Sequence, residues 1–214
     1  MSRDTNSLIS ELVEHRQPVR PLLFSRGLAL ALAGLAATFA MVAGLFNLRP
    51  DVLAGNPAPV FVIATGLFFL LGLASAVSVI AMGRPSVGTD HGGWKWSAAM
   101  AGLLPLAALV TVIGHPAEAV DQTAVISGLK CLGLGSMLGL LTFAVLIWWL
   151  RRGAPTSPER AGLLTGIAAG SFGIFAFSFH CPYDDIVHIG LWHGLVVVVS
   201  AAIGRAVVPG LIRW

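Results

Sequence analysis

Six apolar runs, at residues 27–48, 60–82, 97–113, 126–150, 161–179 and 187–203, follow one another along the chain with almost no charge inside them. Their lengths of 17 to 25 residues suit a hydrocarbon layer of about 30 Å crossed at about 1.5 Å per helical residue. Within lipid every backbone donor and acceptor must find its partner inside the segment or in a closed barrel. The short alternating strands of a barrel are not visible, so the pattern predicts an all-α, polytopic membrane bundle of six transmembrane helices. The first run is too long for the apolar core of a signal peptide and follows about 26 mostly polar residues, so it is expected to stay as an anchor.

Those leading residues carry a period of their own. Leu8, Ile9, Leu12 and Val13 fall at i, i+1, i+4 and i+5, one stripe of a short helix, with Ser7 or Asn6 as N-cap and Pro18 as its end. A helix of two or three turns is marginal alone in water. The stripe therefore predicts a partner, either the inner leaflet or a protein groove. The organisation expected is a tail over 1–26, a membrane domain over 27–208 and a short end over 209–214.

Charge changes the picture by giving it a direction. Arg3, Arg16, Arg20, Arg26, Arg84, Lys95, Arg151, Arg152, Arg160, Arg205 and Arg213 all fall on one side of the six runs, and only Arg49 and Lys130 on the other. Lys and Arg gather in short cytoplasmic loops, so both termini are expected in the cytoplasm of a multi-pass protein of a bacterial inner membrane. Trp94, Trp96, Trp148, Trp149 and Trp214 sit at the same ends and Trp192 near the opposite one, as an interfacial belt would. The sequence pI of about 9.4 is then a topology signal, with membrane lipid as the contact and no nucleic acid invoked. A content of 56% hydrophobic and 11% charged residues agrees, since soluble domains carry about 25% charge.

Chemistry concentrates on the outer side. Cys131 lies 20 residues before Arg151 and Cys181 lies 20 after Ala161, so the two thiols belong at similar depth. Gly135 and Gly139 continue the face of Cys131, and Gly162, Gly166, Gly170 and Gly173 run toward Cys181; small residues spaced by four let membrane helices approach closely. If the fourth and fifth runs pair through these faces, the sulfurs come within bonding or shared-ligand distance. The alternative is two unrelated buried thiols acting as small hydrophobes. An outer location permits a disulfide, and soft thiolates select thiophilic metals. His180 adjoins Cys181, with Asp184, Asp185, His188 and His193 following and His115 and Glu118 on the third loop. A transient heavy-metal ion held by Cys131, Cys181 and His180 is the ligand set weighed here, with no resident cofactor. Lys130 is read as snorkelling to the interface, or as lowering the pKa of Cys131.

Acidic residues are confined to the tail and loops and the middle of the membrane lacks ionisable groups, which gives no support to an intramembrane protease or an ion path. The chain is expected not to be an enzyme. The competing class is a small thiol-redox or metal-handling membrane protein using the same cysteines. No sequence feature ties the first run to the fifth.

Leu8, Ile9 and Leu12, then Pro18-Val19-Arg20-Pro21-Leu22, Arg49-Pro50-Asp51, Arg84-Pro85, Arg152-Gly153-Ala154-Pro155-Thr156 and His180-Cys181-Pro182 with Asp184 together resemble the NrsF-type membrane anti-sigma factors over nearly the whole chain. The resemblance implies a negative regulator that holds an extracytoplasmic-function sigma factor at the inner membrane and releases it on heavy-metal or oxidative stress. It implies that Cys131 and Cys181 are the sensor cysteines. The stripe Leu8, Ile9, Leu12 and Val13 is then the expected sigma-factor contact. The chain departs from the family pattern at Lys130, at Gly133 to Gly135 and at His193.

Overall fold

A computed structural model describes residues 4–14, 21–84, 93–114 and 122–213, and among these it is helical without strands. The elements in order are α1 Thr5–Glu14, α2 Phe24–Leu45, the single turn α3 Pro50–Leu53, α4 Pro59–Met82, α5 Gly93–Gly114, α6 Gln122–Leu150, α7 Pro158–Ser178, a π-helix His188–His193 and α8 Gly194–Leu211. Proline opens α3, α4 and α7, where its fixed φ suits the first turn and its missing N–H has no partner to lose. The expected helix stop at Pro18 and the third-loop groups His115 and Glu118 lie outside the described residues.

The cap of α1 differs from expectation. Asn6 N–H donates to Asp4 Oδ1 at 3.3 Å and Ser7 N–H donates to the Asp4 carbonyl at 3.1 Å, so the cap is Asp4, two residues before Asn6 and three before Ser7. A carboxylate accepting from the second helical N–H satisfies a free donor and also complements the positive end of the helix dipole. None of the α1 side chains is buried.

Five helices among the described residues are long and apolar enough to cross a membrane, against the six expected: Phe24–Leu45, Pro59–Met82, Thr123–Leu150, Pro158–Ser178 and His188–Leu211. The third expected run is helical within α5, which has 22 residues. Its described side chains do not make up a complete membrane-length apolar stretch, so five of the six expected spans are found among the described residues.

Helix α7 is the hub, with 89% of its apolar window buried. Its sequence explains how it can be surrounded. A Cβ at Gly162 or Gly166 would run into the carbonyl oxygens of Gly204 and Ser200 of α8, and one at Gly173 into the Gly135 carbonyl and Gly139 of α6. The glycines predicted as a single stripe therefore serve two neighbours: Gly162, Gly166 and Gly170 admit α8, while Gly173 with Ala169 admits α6. Contact is backbone to backbone, the arrangement small residues permit between membrane helices. Gly166→Val is expected to force α7 and α8 apart at a cost above the roughly 1–3 kcal/mol of ordinary overpacking, because the obstacle is main chain. A drop in the thermal midpoint of the detergent-purified protein measures it, with Gly133→Ala, which meets open space, as the silent control.

Helix directions follow from the contacts. Thr38 of α2 lies against the Leu138 carbonyl of α6, and Ala154 N–H donates to the Gly83 carbonyl at 3.2 Å, joining the chain just past α4 to the chain just past α6. The indole of Trp149 donates to the Ile80 carbonyl at 3.3 Å, and both side chains crowd Gly27 at the start of α2. One end of the bundle thus gathers the start of α2, the ends of α4 and α6, the start of α7 and the end of α8, with Arg26, Arg84, Arg151, Arg152, Arg160 and Arg205. The other end gathers Arg49, Phe61, Cys131 and residues 179–188.

Candidate functional site

At that second end, α6 and α7 deliver two thiols to one place. Cys131 is in the third turn of α6 and Cys181 follows the end of α7, where Cys181 N–H still bonds to the Phe177 carbonyl at 3.1 Å. Both are buried, and their sulfurs lie 3.7 Å apart without a disulfide between them. The pairing of Gly135 with Gly173 and of Gly139 with Ala169 sets this register.

His180 turns away from the sulfurs. Its Nδ1 is 2.8 Å from the Asn47 carbonyl, and its ring lies between Phe46 and Phe177 at 5.1 and 5.4 Å. Two other histidines occupy the place expected for it. His188 Nε2 is 3.3 Å from Cys131 Sγ and 3.6 Å from Cys181 Sγ. One donor atom each from Cys131, Cys181, His188 and His193 all fall within 4.8 Å of one another, and all four residues are buried.

The π-helix brings the two imidazoles to the same side. In an α-helix residues five apart stand about 140° apart around the axis, whereas i→i+5 bonding stacks them on one face. Asp185 fixes the start of this turn, its Oδ1 accepting from His188 N–H at 2.6 Å. Tyr183 stacks on His188 at 4.7 Å and its hydroxyl reaches Ser127 Oγ at 2.9 Å, closing the site from above. Gly128 leaves the space that the indole of Trp192 fills, which seats the π-helix against α6.

A second construction borders the first. Arg49, just past α2, is 5% exposed and uses all five of its N–H groups. Nε and one Nη grip Asp51 at 2.9 and 2.7 Å, both Nη grip Asp184 at 2.7 Å, and the remaining N–H donates to the Cys181 carbonyl at 2.9 Å. Its backbone N–H donates to the Phe179 carbonyl at 2.9 Å, and its guanidinium lies 4.7 Å over the ring of Phe61. The end of α2, α3, the start of α4 and the cysteine segment are thereby joined at one cation. The hydrogen bonds Arg49 donates to Asp51 and then to Asp184 raise its pKa, and the Arg49 guanidinium holds the Asp51 carboxyl down at about 2. A depressed folded-state pKa contributes stability that is full above the unfolded value of about 3.9 and is lost progressively as pH falls from there through about 2. The clamp accordingly persists in mild acid.

In the sequence Arg49 stands out as an exception to the charge bias and as the start of the Arg49-Pro50-Asp51 motif, without a role assigned to it. That exception was the available signal: an isolated arginine on the side poor in cations, followed by an aspartate, with two more aspartates in the facing loop. At the opposite extreme of the chain, the stripe of α1 is open, with Leu8 42%, Ile9 52%, Leu12 64% and Val13 60% exposed.

A family model described as negative regulator of sigma F matches residues 12–214. An anti-sigma-F factor of Caulobacter vibrioides (strain NA1000 / CB15N) is 31% identical over 189 residues, covering 87% of this chain and 87% of its own length. A probable anti-sigma-F factor of Azospira oryzae is 26% identical over 211 residues, 98% of this chain and 99% of its own. No solved structure matches the chain.

Proposed function

Since the chain belongs to the NrsF family, the negative regulators of sigma F, we propose that it is a membrane-bound anti-sigma factor that captures an extracytoplasmic-function sigma factor on the open face of α1. The exposed stripe Leu8, Ile9, Leu12 and Val13 carries this reading, because four apolar side chains on one face of a short helix are left without cover. An amphipathic helix of this kind lays its apolar face into a hydrophobic groove of its partner.

In this reading the protein is multi-pass in a bacterial inner membrane, crosses it six times, and keeps both termini in the cytoplasm. Parity supports the sixth crossing. Helices α4 and α6 run in the same direction, so the chain between them must return across the bundle, and α5 is the described element of sufficient length there. Gly93, at its start, lies against Ser78 near the end of α4, as a returning helix requires. The orientation rests on the cation-rich end being cytoplasmic.

The outer cluster around Cys131 and Cys181 receives the signal, a heavy metal or an oxidant, and Arg49 conveys it. Displacing the Cys181 segment strains a bond network anchored on the end of α2, and α2 continues back to the tail. This supplies the link between first and fifth runs that no sequence pattern offered. Affinity capture with the full-length protein in detergent is the direct test: a sigma factor should co-purify, and its absence would overturn the reading. Cys131→Ser and Cys181→Ser should each abolish induction of the target genes by cadmium while membrane abundance stays constant. An unchanged dose response in both variants would remove the cysteines from sensing.

A further inference from the structure

The geometry at the cysteine end points to a specific ligand chemistry: we propose that Cys131, Cys181, His188 and His193 form a tetrahedral Cys2His2 centre for one divalent ion of the zinc or cadmium type. The inference deepens the sensing role proposed above but rests on its own observations.

The first observation is the set of separations. A tetrahedral ion holding sulfur at about 2.3 Å and imidazole nitrogen at about 2.05 Å spaces its ligands by about 3.8 Å sulfur to sulfur and about 3.5 Å sulfur to nitrogen. The sulfurs stand at 3.7 Å, and His188 Nε2 stands at 3.6 and 3.3 Å from them. A disulfide needs about 2.05 Å between the sulfurs. The two sulfurs and His188 Nε2 are therefore placed as three corners of a coordination tetrahedron, with the fourth donor, from His193, within 4.8 Å.

The second observation is the fourth corner. His193 is 2% exposed, and its Nε2 is buried with no hydrogen-bond partner among the described residues. An unpaired buried imidazole nitrogen is costly, and a ring nitrogen of His193 lies within 4.8 Å of the other three donor atoms. The π turn exists in the same six residues that contain both histidines, and such turns concentrate at functional positions.

Charge agrees with the setting. Two thiolates cancel the two positive charges of the ion, and both thiol protons leave to water as it binds. The product is neutral at a buried site beside the lipid, where an uncompensated ion would be expensive to hold. Sulfur and imidazole together favour zinc-like ions over calcium or magnesium, which take oxygen ligands.

Cobalt(II) is the probe, since its visible spectrum distinguishes tetrahedral from octahedral coordination. Full-length protein, reduced and in detergent, should take up one cobalt per chain with strong tetrahedral bands and a thiolate charge-transfer band, and cadmium or zinc should displace it. His188→Gln and His193→Gln should each weaken binding at least tenfold, and His180→Gln should not change it. Weak octahedral bands in the unaltered protein, one ion shared between two chains, or undiminished binding in the His188→Gln/His193→Gln double variant would overturn the proposal. Retention of the sigma factor in the same metal-free variants separates a failed centre from a failed capture role.

Discussion

Arg49→Lys is expected to uncouple the cysteine end from the tail: metal binding persists, while induction of the target genes falls by at least about fivefold. The argument rests on donor count. A guanidinium presents five N–H groups in a rigid fork, and all five are engaged here by two carboxylates and the Cys181 carbonyl. Lysine keeps the charge but offers three donors from one point, so it cannot grip Asp51 and Asp184 bidentately and also hold Cys181. Coupling between distant sites commonly amounts to about 1–3 kcal/mol, a factor of about 5 to 150 in the response. Loss of one shared joint removes at least the lower part of that range. A promoter reporter titrated with cadmium, paired with metal uptake by the purified variant, gives both readings. Full induction by Arg49→Lys would mean that the signal leaves the cysteine end by another route. Arg49→Ala is the harsher change, since it leaves two carboxylates facing each other without a cation.

How much of this was legible follows from period and depth. The apolar runs set the helices because lipid allows no other open backbone arrangement, and observed ends such as Phe24–Leu45 lie within about three residues of the expected 27–48. Counting twenty residues from the common end placed Cys131 and Cys181 level, and the structure has them 3.7 Å apart. That count works because both segments are regular α-helix.

It stops working where the chain leaves that geometry. His180 looked like a ligand by adjacency to Cys181, but the turns at the end of α7 aim neighbouring side chains apart, and it meets Asn47 instead. His188 and His193 stand in the sequence among the groups following Cys181, and their five-residue spacing reads as two faces of an α-helix. Only the π turn puts them on one face, and nothing in the hydrophobic period announces it. The glycines misled in a milder way. A run of four-spaced glycines marks close approach but not by which neighbour, and α7, buried on every side, uses them for two helices at once.

Deleting residues 1–17 is expected to abolish sigma-factor capture, a loss of at least 100-fold, and leave the membrane bundle intact. The second half follows from the absence of buried side chains in α1: its removal takes no buried side chain out of the bundle. The first half follows from area. Burying a side chain such as Leu, Ile or Val contributes about 1.5–3 kcal/mol, and Leu8, Ile9, Leu12 and Val13 present four of them together. Even after the ordering cost of docking a marginal helix, removing all four exceeds the roughly 2.7 kcal/mol that a 100-fold change represents. Leu8→Asp with Leu12→Asp is the finer variant, since it keeps the chain length and places charge in the middle of the stripe. Co-purification of the sigma factor with each variant, normalised to membrane abundance, reads the outcome. If capture survives both, α1 lies on lipid and the partner docks on another cytoplasmic surface. If it is lost in both while metal uptake is unchanged, the two ends of the molecule have separable tasks, and Arg49 is the joint whose substitution should disconnect them.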